Sequence, residues 1–304
     1  MEDRPVLRVD GLSVSFKMYD RGFKHRELQV ISNLNINLQK GEIVAVAGSS
    51  GSGKSLLAHA VLGILPGNAL MSGDISYMGE LLTPSRIKKL RGREIAFVPQ
   101  SVEYLDPLIR VGRQVSDNKP AVREVFERYR LAFDVSKMYP HELSGGMARR
   151  VLCATAAVSG ANLIIADEPT PGMSKDLAKR AMKHFRDLAD DGAAVMLITH
   201  DIDLAVEYSD RVSVFYAGTT VETALSSDFA EENLLRHPYT KALWRAMPQN
   251  SFLPIPGKQP EPHEKIIGCP YWPRCDIKKQ ECLTEHNTQP RSVRGGEVCC
   301  LYAT

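Results

Sequence analysis

The chain is poor in net charge, in uninterrupted apolar runs and, until its last stretch, in cysteine. Thirty-eight Lys and Arg stand against 36 Asp and Glu in 304 residues, leaving +2. That balance provides no basic footprint for nucleic acid. One short basic cluster, Lys88, Lys89, Arg91 and Arg93, reads as a solvated face. The longest apolar candidate, Val151 to Ala166, is interrupted by Ser159, Gly160 and Asn162. It falls short of the roughly 18 apolar residues that a membrane crossing requires. The opening Met1-Glu2-Asp3-Arg4-Pro5 lacks the charged-then-apolar layout of a signal peptide. Any membrane role is therefore expected to run through partner subunits. There is no internal repeat and no low-complexity tract.

Cysteine is distributed unevenly. Cys153 stands alone, while Cys269, Cys275, Cys282, Cys299 and Cys300 fall within the last 36 residues. Without an export signal, a metal or cluster site is the expected use rather than disulfides. What is present otherwise is globular: 43% hydrophobic and 24% charged residues, enough for one large domain with an appendage or two modest ones.

Alternation in Leu7-Arg8-Val9, Leu12 to Phe16 and Leu34 to Leu38 marks strands, and Ile43-Val44-Ala45-Val46-Ala47 is wholly apolar, as suits a strand buried on both faces. Helices are expected over Leu56–Leu65, Pro120–Phe133, Ser144–Ala157 and Ser174–Leu188. Strands are expected over Ile95–Val98, Leu163–Ala166 and Ala194–Ile198. The alternation predicts an α/β sheet with parallel strands at its centre. Beyond about residue 236 a short helix through Met247 gives way to a linker carrying Pro248, Pro254, Pro256, Pro260 and Pro262, then to the cysteine-rich tail.

Gly48-Ser49-Ser50-Gly51-Ser52-Gly53-Lys54-Ser55 fits G-x4-G-K-[ST] between an apolar strand and a helix. Glycines let backbone N–H groups converge on phosphate oxygens, and the following helix adds its positive end. Lys54 brings an ammonium to the β- and γ-phosphates, and the Ser55 hydroxyl can ligate Mg²⁺. A Gly/Ser-rich linker would lack both flanks. Farther along, the strand Leu163-Ile164-Ile165-Ala166 delivers Asp167 and Glu168. Asp167 suits Mg²⁺, and Glu168 suits a general base acting on water.

Leu143-Ser144-Gly145-Gly146-Met147, led by Tyr139-Pro140-His141-Glu142, resembles the signature of ABC ATPases. The resemblance covers nearly the whole chain and is nearest to the oligopeptide/dipeptide/nickel importer branch. Phe215-Tyr216-Ala217-Gly218 and Leu235-Arg236-His237-Pro238-Tyr239-Thr240-Lys241-Ala242-Leu243 add to it. It implies a P-loop NTPase core with an antiparallel β subdomain, a helical subdomain near residues 101–158 and a small C-terminal extension, divided as 1–236 and 237–304. Gln100 resembles the Q-loop glutamine, which contacts Mg²⁺ and water. His200 resembles the switch histidine at the γ-phosphate. Leu143, Ser144, Gly145 and Gly146 would serve the ATP of an opposing subunit, and an aromatic residue, Phe16, Tyr19 or Phe23, would stack on adenine.

In members of that branch, Cys269, Cys275, Cys282 and Cys299, spaced C-x5-C-x6-C-x16-C, imply a [4Fe–4S] cluster. Zinc, unliganded thiols and substitution of Cys300 for Cys299 stay open. The implied assembly is a second ABC ATPase subunit, two transmembrane permease subunits and an extracellular or periplasmic substrate-binding protein. The chain would lie peripherally at the cytoplasmic membrane face, importing peptides or nickel or a metal chelate. A soluble ABC ATPase acting on DNA, ribosomes or cluster assembly is the alternative.

Two residues depart from the family pattern. Arg149 stands where Gln is usual, and Ser174 where the D-loop commonly ends in Asp. The second predicts a heterodimer whose two sites need not be equivalent.

Overall fold

The computed structural model describes residues 4–19, 25–49, 51–261, 264, 267–284 and 289–304. It falls into two compact units. One comprises Met1–Asn37, Val44–Leu82 and His200–Thr304, and the other Leu38–Ile43 and Thr83–Thr199.

In chain order the first segment carries β1 (Leu7–Tyr19), β2 (His25–Leu38), β3 (Ile43–Gly48), α1 (Lys54–Leu62), β4 (Ala69–Tyr77) and β5 (Glu80–Leu81). The middle carries α2 (Pro84–Leu90), β6 (Ile95–Val98), α3 (Val111–Val115), α4 (Lys119–Arg128), α5 (Gly145–Val158), β7 (Leu163–Asp167), α6 (Lys175–Asp190) and β8 (Ala194–Thr199). The last carries α7 (Ile202–Tyr208), β9 (Arg211–Tyr216), β10 (Thr219–Leu225), α8 (Pro238–Ala246), α9 (Glu281–Thr284), β11 (Arg291–Val293) and β12 (Gly296–Val298).

The first unit holds an antiparallel sheet in the order β2-β1-β4-β5. Period-two alternation puts Leu7, Val9, Leu12 and Val14 of β1 inside. All six residues of β3 are buried, and β3 runs parallel to β9, Gly48 opposite Phe215. The β9–β10 hairpin turns through Ala217 (φ 48°) and Gly218 (φ 82°). Two positive-φ residues in a two-residue loop match the twist of the strands they join. The tail adds to the sheet that contains β3, β9 and β10: β12 pairs with β10, Glu222 opposite Val298, and β11 pairs with β12.

In the second unit β6, β7 and β8 form a parallel run, with Ile95 opposite Leu163 and Leu163 opposite Ala194. The helices cover this run with apolar faces such as Ala178, Ala181, Met182, Phe185 and Ala189 of α6. Two helices end sooner than periodicity predicts. Gly63 (φ 60°) stops α1 at Leu62, with Gly63 N–H donating to the Ala60 carbonyl and Ile64 N–H to that of His59. Arg130 (φ 49°) does the same after α4, with Leu131 N–H donating to the Phe126 carbonyl. Both are left-handed caps that reverse the chain. Among the described residues no helix is long and apolar enough to cross a membrane.

Candidate nucleotide site

In the first unit the glycine-rich loop leaves β3 and enters α1. Gly48 lies so close to β9 that a Cβ there would stand 2.4 Å from the Phe215 carbonyl oxygen. Gly53 (φ 94°) would press a Cβ against Ile31 at 3.1 Å. The loop is thus shaped by positions that only glycine fills without strain. Lys54 is buried, and its Nζ donates to the carbonyls of Gly48 (2.8 Å) and Ser49 (2.9 Å). The ammonium is held across the loop it belongs to. The hydroxyl of Ser52 is buried with no hydrogen-bond partner. Ser55 is half-buried on the first turn of α1. Converging glycine backbone, a tethered ammonium, an orphan hydroxyl and a helix start fit a polyphosphate chain with its Mg²⁺. Ser50 lies outside the described residues.

His200 is exposed, just before α7, whose N-cap Asp201 accepts from Leu204 N–H at 3.1 Å. Phe16 is half-buried near the end of β1, opposite Ala69. Tyr19 ends that strand, and Phe23 lies outside the described residues.

The second unit positions the acids. Asp167 is the buried last residue of β7, and Glu168 follows it, also buried, with φ 49°. Its N–H donates to the Ile198 carbonyl at 2.9 Å, which holds a bulky residue in a conformation that ordinarily costs 1–3 kcal/mol. Backbone strain of this kind concentrates where a side chain must be aimed.

Gln100 is exposed after β6 and Pro99. Arg149 of α5 is buried, and its Nη1 donates to the Pro99 carbonyl at 2.9 Å. Burial lowers the pKa of its guanidinium, while Cys153, Asp167 and Glu168 act in the opposite sense. The departure from Gln therefore ties the helix after the signature to the residue preceding Gln100, in the electrostatic field of both carboxylates.

Ser144 is the N-cap of α5, its Oγ accepting from Met147 N–H at 3.3 Å. Leu143 is half-buried, and Gly145 is exposed with open space around it. A Cβ on Gly146 would meet the Gly172 carbonyl at 3.0 Å, so the signature turn rests on the loop after Glu168. Ser174 is the N-cap of α6 without a side-chain cap bond.

The cysteine expectation needs correction. Among the described residues no group of three or more His, Cys, Asp or Glu is placed to hold a metal ion. This overturns the [4Fe–4S] cluster on Cys269, Cys275, Cys282 and Cys299, and the zinc alternative with it. None of the six cysteines is in a disulfide. Those of the tail line one cavity with His237, Tyr271 and Trp272, but burial pushes Cys269 and Cys275 up to about 11 and Cys299 to about 12. The tail is fastened by other means: the β11–β12 hairpin, an N–H bond from Cys299 to the Val221 carbonyl at 2.9 Å, and a cluster of Tyr216, Tyr239 and Tyr271 rings.

Tyr239 and Gln259 both reach Ser49 of the phosphate loop. The His-Pro-Tyr-Thr motif flagged the first as a family mark only. Nothing in the sequence pointed to the second.

A strand–glycine loop–helix unit, with an acid pair closing a parallel strand and a glycine turn opening a helix, defines a P-loop nucleotide-binding α/β protein. Residues 31–171 match the ABC transporter family, and residues 221–282 match the oligopeptide/dipeptide transporter C-terminal region. A putative peptide import ATP-binding protein of Brucella melitensis is 34% identical, covering 98% of this chain and 95% of its own length. The oligopeptide transport ATP-binding protein OppD of Escherichia coli is 32% identical over 91% of this chain and 87% of its own. The dimeric structure of MJ0796, a bacterial ABC transporter cassette, superposes with a TM-score of 0.65 at 24% identity, over 72% of this chain and 98% of that one. The chain belongs to the ABC transporter family, as an ATP-binding and ATP-hydrolysing subunit carrying the oligopeptide/dipeptide-type C-terminal region.

Proposed function

We propose that this subunit powers the import of peptides. The observation that carries the reading is the joint presence, on one chain, of the ATPase region and the oligopeptide/dipeptide C-terminal region. Relatives from Brucella, Escherichia and Bacillus bear names of peptide import or oligopeptide transport, which favours peptides over nickel or a metal chelate.

In this reading the ATPase core spans residues 1–236, with the helical subdomain near 101–158, and the extension spans 237–304. The loop Gly48–Ser55 cradles the phosphates, and Lys54 leaves its carbonyl partners for the β- and γ-oxygens. Ser55, Asp167 and Gln100 would hold Mg²⁺, which when bound would offset charge on the phosphate oxygens. Glu168 takes a proton from water aligned with the γ-phosphorus, and His200 meets the γ-phosphate. Phe16 offers its ring to adenine. Leu143 to Gly146 face the ATP of a second ABC subunit.

Ser174 at the D-loop end supports a heterodimer, because an aspartate that would cross to the partner's site is missing here. Two transmembrane permeases and an extracellular or periplasmic receptor complete the machine, with this chain peripheral on the cytoplasmic membrane face. Reconstituting that complex in vesicles tests the reading. ATPase activity and uptake should rise when the receptor is loaded with peptide. Stimulation by nickel alone, or none with peptides of any length, would refute it.

A further inference from the structure

The His237-Pro238-Tyr239-Thr240 motif takes no part in the nucleotide chemistry above, yet its tyrosine is buried in an aromatic cluster. His237 caps α8, its Nδ1 accepting from Tyr239 N–H at 3.0 Å. The Tyr239 ring is buried between Tyr216 at 4.5 Å and Tyr271 at 5.4 Å between centroids. Burial raises the pKa of its hydroxyl, and hydrogen bonding from the side chain and backbone of Ser49 acts in the opposite sense, which sets the hydroxyl beside that serine. Farther along, the proline-rich linker brings Gln259 to the same residue, the Ser49 hydroxyl donating to Gln259 Oε1.

That linker is itself fastened to the aromatic cluster. Arg274 donates to the carbonyls of Pro256 (2.7 Å) and Ile255 (3.2 Å) and to the Tyr216 hydroxyl (3.2 Å). Two separate segments of the C-terminal region thus converge on one exposed serine of the phosphate loop.

Ser49 matters because of what its neighbours do. Its carbonyl is one of the two that hold Lys54 Nζ. A loop rich in glycine has many backbone states to lose on binding phosphate. Fixing one of its residues beforehand lowers that ordering cost, and preorganisation of this kind raises affinity without a new ligand contact.

We infer that Tyr239 and Gln259 are positioning residues that clamp Ser49, so that the C-terminal region sets the nucleotide affinity of the phosphate loop. The inference rests on Gly48–Ser55 being the nucleotide loop. Linkage makes the effect reciprocal, so bound nucleotide steadies the linker in turn.

The test uses the full chain and Mg·ADP, with the dissociation constant read by calorimetry and the thermal midpoint read without nucleotide. Tyr239→Phe keeps the ring and removes the hydroxyl, and Gln259→Ala removes the acceptor. Each should weaken Mg·ADP binding about three- to ten-fold, the size of one net hydrogen bond. Gln259→Ala combined with Ser49→Ala should bind no worse than the weaker single variant, within about two-fold, because both remove the same bond. Hydrogen exchange over residues Ile255–Glu261 should slow with Mg·ADP in the wild type and not in Gln259→Ala.

A purely structural role would lower the thermal midpoint and leave the dissociation constant alone, and that result overturns the inference. Multiplicative losses in the double variant overturn it as well. Lys54→Ala separates the two levels. If it binds Mg·ADP like the wild type, the loop assignment itself fails. If it loses binding while Tyr239→Phe does not, only the clamp fails.

Discussion

Glu222 anchors the start of the C-terminal region, and replacing it should loosen that region selectively. Its side chain is fully buried on β10. Oε1 accepts from the Arg236 N–H at 2.9 Å and from Arg236 Nη1 at 3.3 Å, and Oε2 accepts from the His237 N–H at 2.8 Å. Glu222→Ala strands two buried amides, each costing about 1–3 kcal/mol when unsatisfied. It also removes one of two carboxylates facing the buried guanidinium. Asp228 remains at 2.8 Å, and the carbonyls of Val293 and Arg294 remain at 2.6 Å each, so the cation keeps a partner. The expected loss is therefore about 3–5 kcal/mol, the usual cost of removing one member of a buried pair.

The assay is favoured by the sequence, because the only two tryptophans, Trp244 and Trp272, both lie in this region. Urea unfolding followed by tryptophan fluorescence reports it directly. With Ser49 released from its clamp, Mg·ADP binding should weaken together with the unfolding midpoint. A midpoint shift equivalent to less than about 1 kcal/mol would refute the assignment of Glu222 as the anchor.

Gly48→Ala forces a methyl group to 2.4 Å from the Phe215 carbonyl oxygen. It should cost about 1–3 kcal/mol or more in thermal unfolding and weaken nucleotide binding, whereas unaltered values would contradict the close β3–β9 approach. His184 lies edge-on to Tyr129 at 5.2 Å. Burial, followed by Arg128, lowers its pKa from 6.5, with Asp187 and Asp191 opposing. The folded state therefore binds fewer protons than the unfolded one just below that value, so stability rises with pH and is lost as pH falls below 6.5 toward the depressed folded pKa. His184→Phe should flatten that acid slope in unfolding curves, and an unchanged slope would count against it. Cys269 at about 11 and Cys299 at about 12 should alkylate at pH 8 at least about 100-fold more slowly than in urea. Mass spectrometry of labelled peptides checks this, and native labelling at the unfolded rate would overturn the burial.

The nucleotide motifs were legible because each is a short, local pattern whose residue types are dictated by the phosphate and the ion. Gly48, Lys54, Ser144 and Asp167 lie on the strand ends and helix starts where such patterns belong. Helix ends were less legible. Apolar periodicity ran on past Leu62 and Arg128, while the chain reversed at Gly63 and at Arg130, an arginine whose left-handed conformation has no compositional mark. The β11 and β12 strands are three residues each, too short to show alternation.

The cysteine spacing counted thiols without locating them, and among the described residues they are not placed to hold a metal ion. Arg149 was visible as a departure, but only its seat beside Pro99 shows what it holds. The contact of Gln259 with Ser49 joins residues 210 positions apart, a separation at which no local pattern operates.

The most direct measurement compares ATP binding with ATP turnover in Glu168→Gln, assayed within the assembled transporter. Mg·ATP affinity should stay within about two-fold of wild type while turnover falls about 10²- to 10⁴-fold, the range for loss of a general base. Turnover at the wild-type rate would show that the buried, left-handed Glu168 is not the group that activates water.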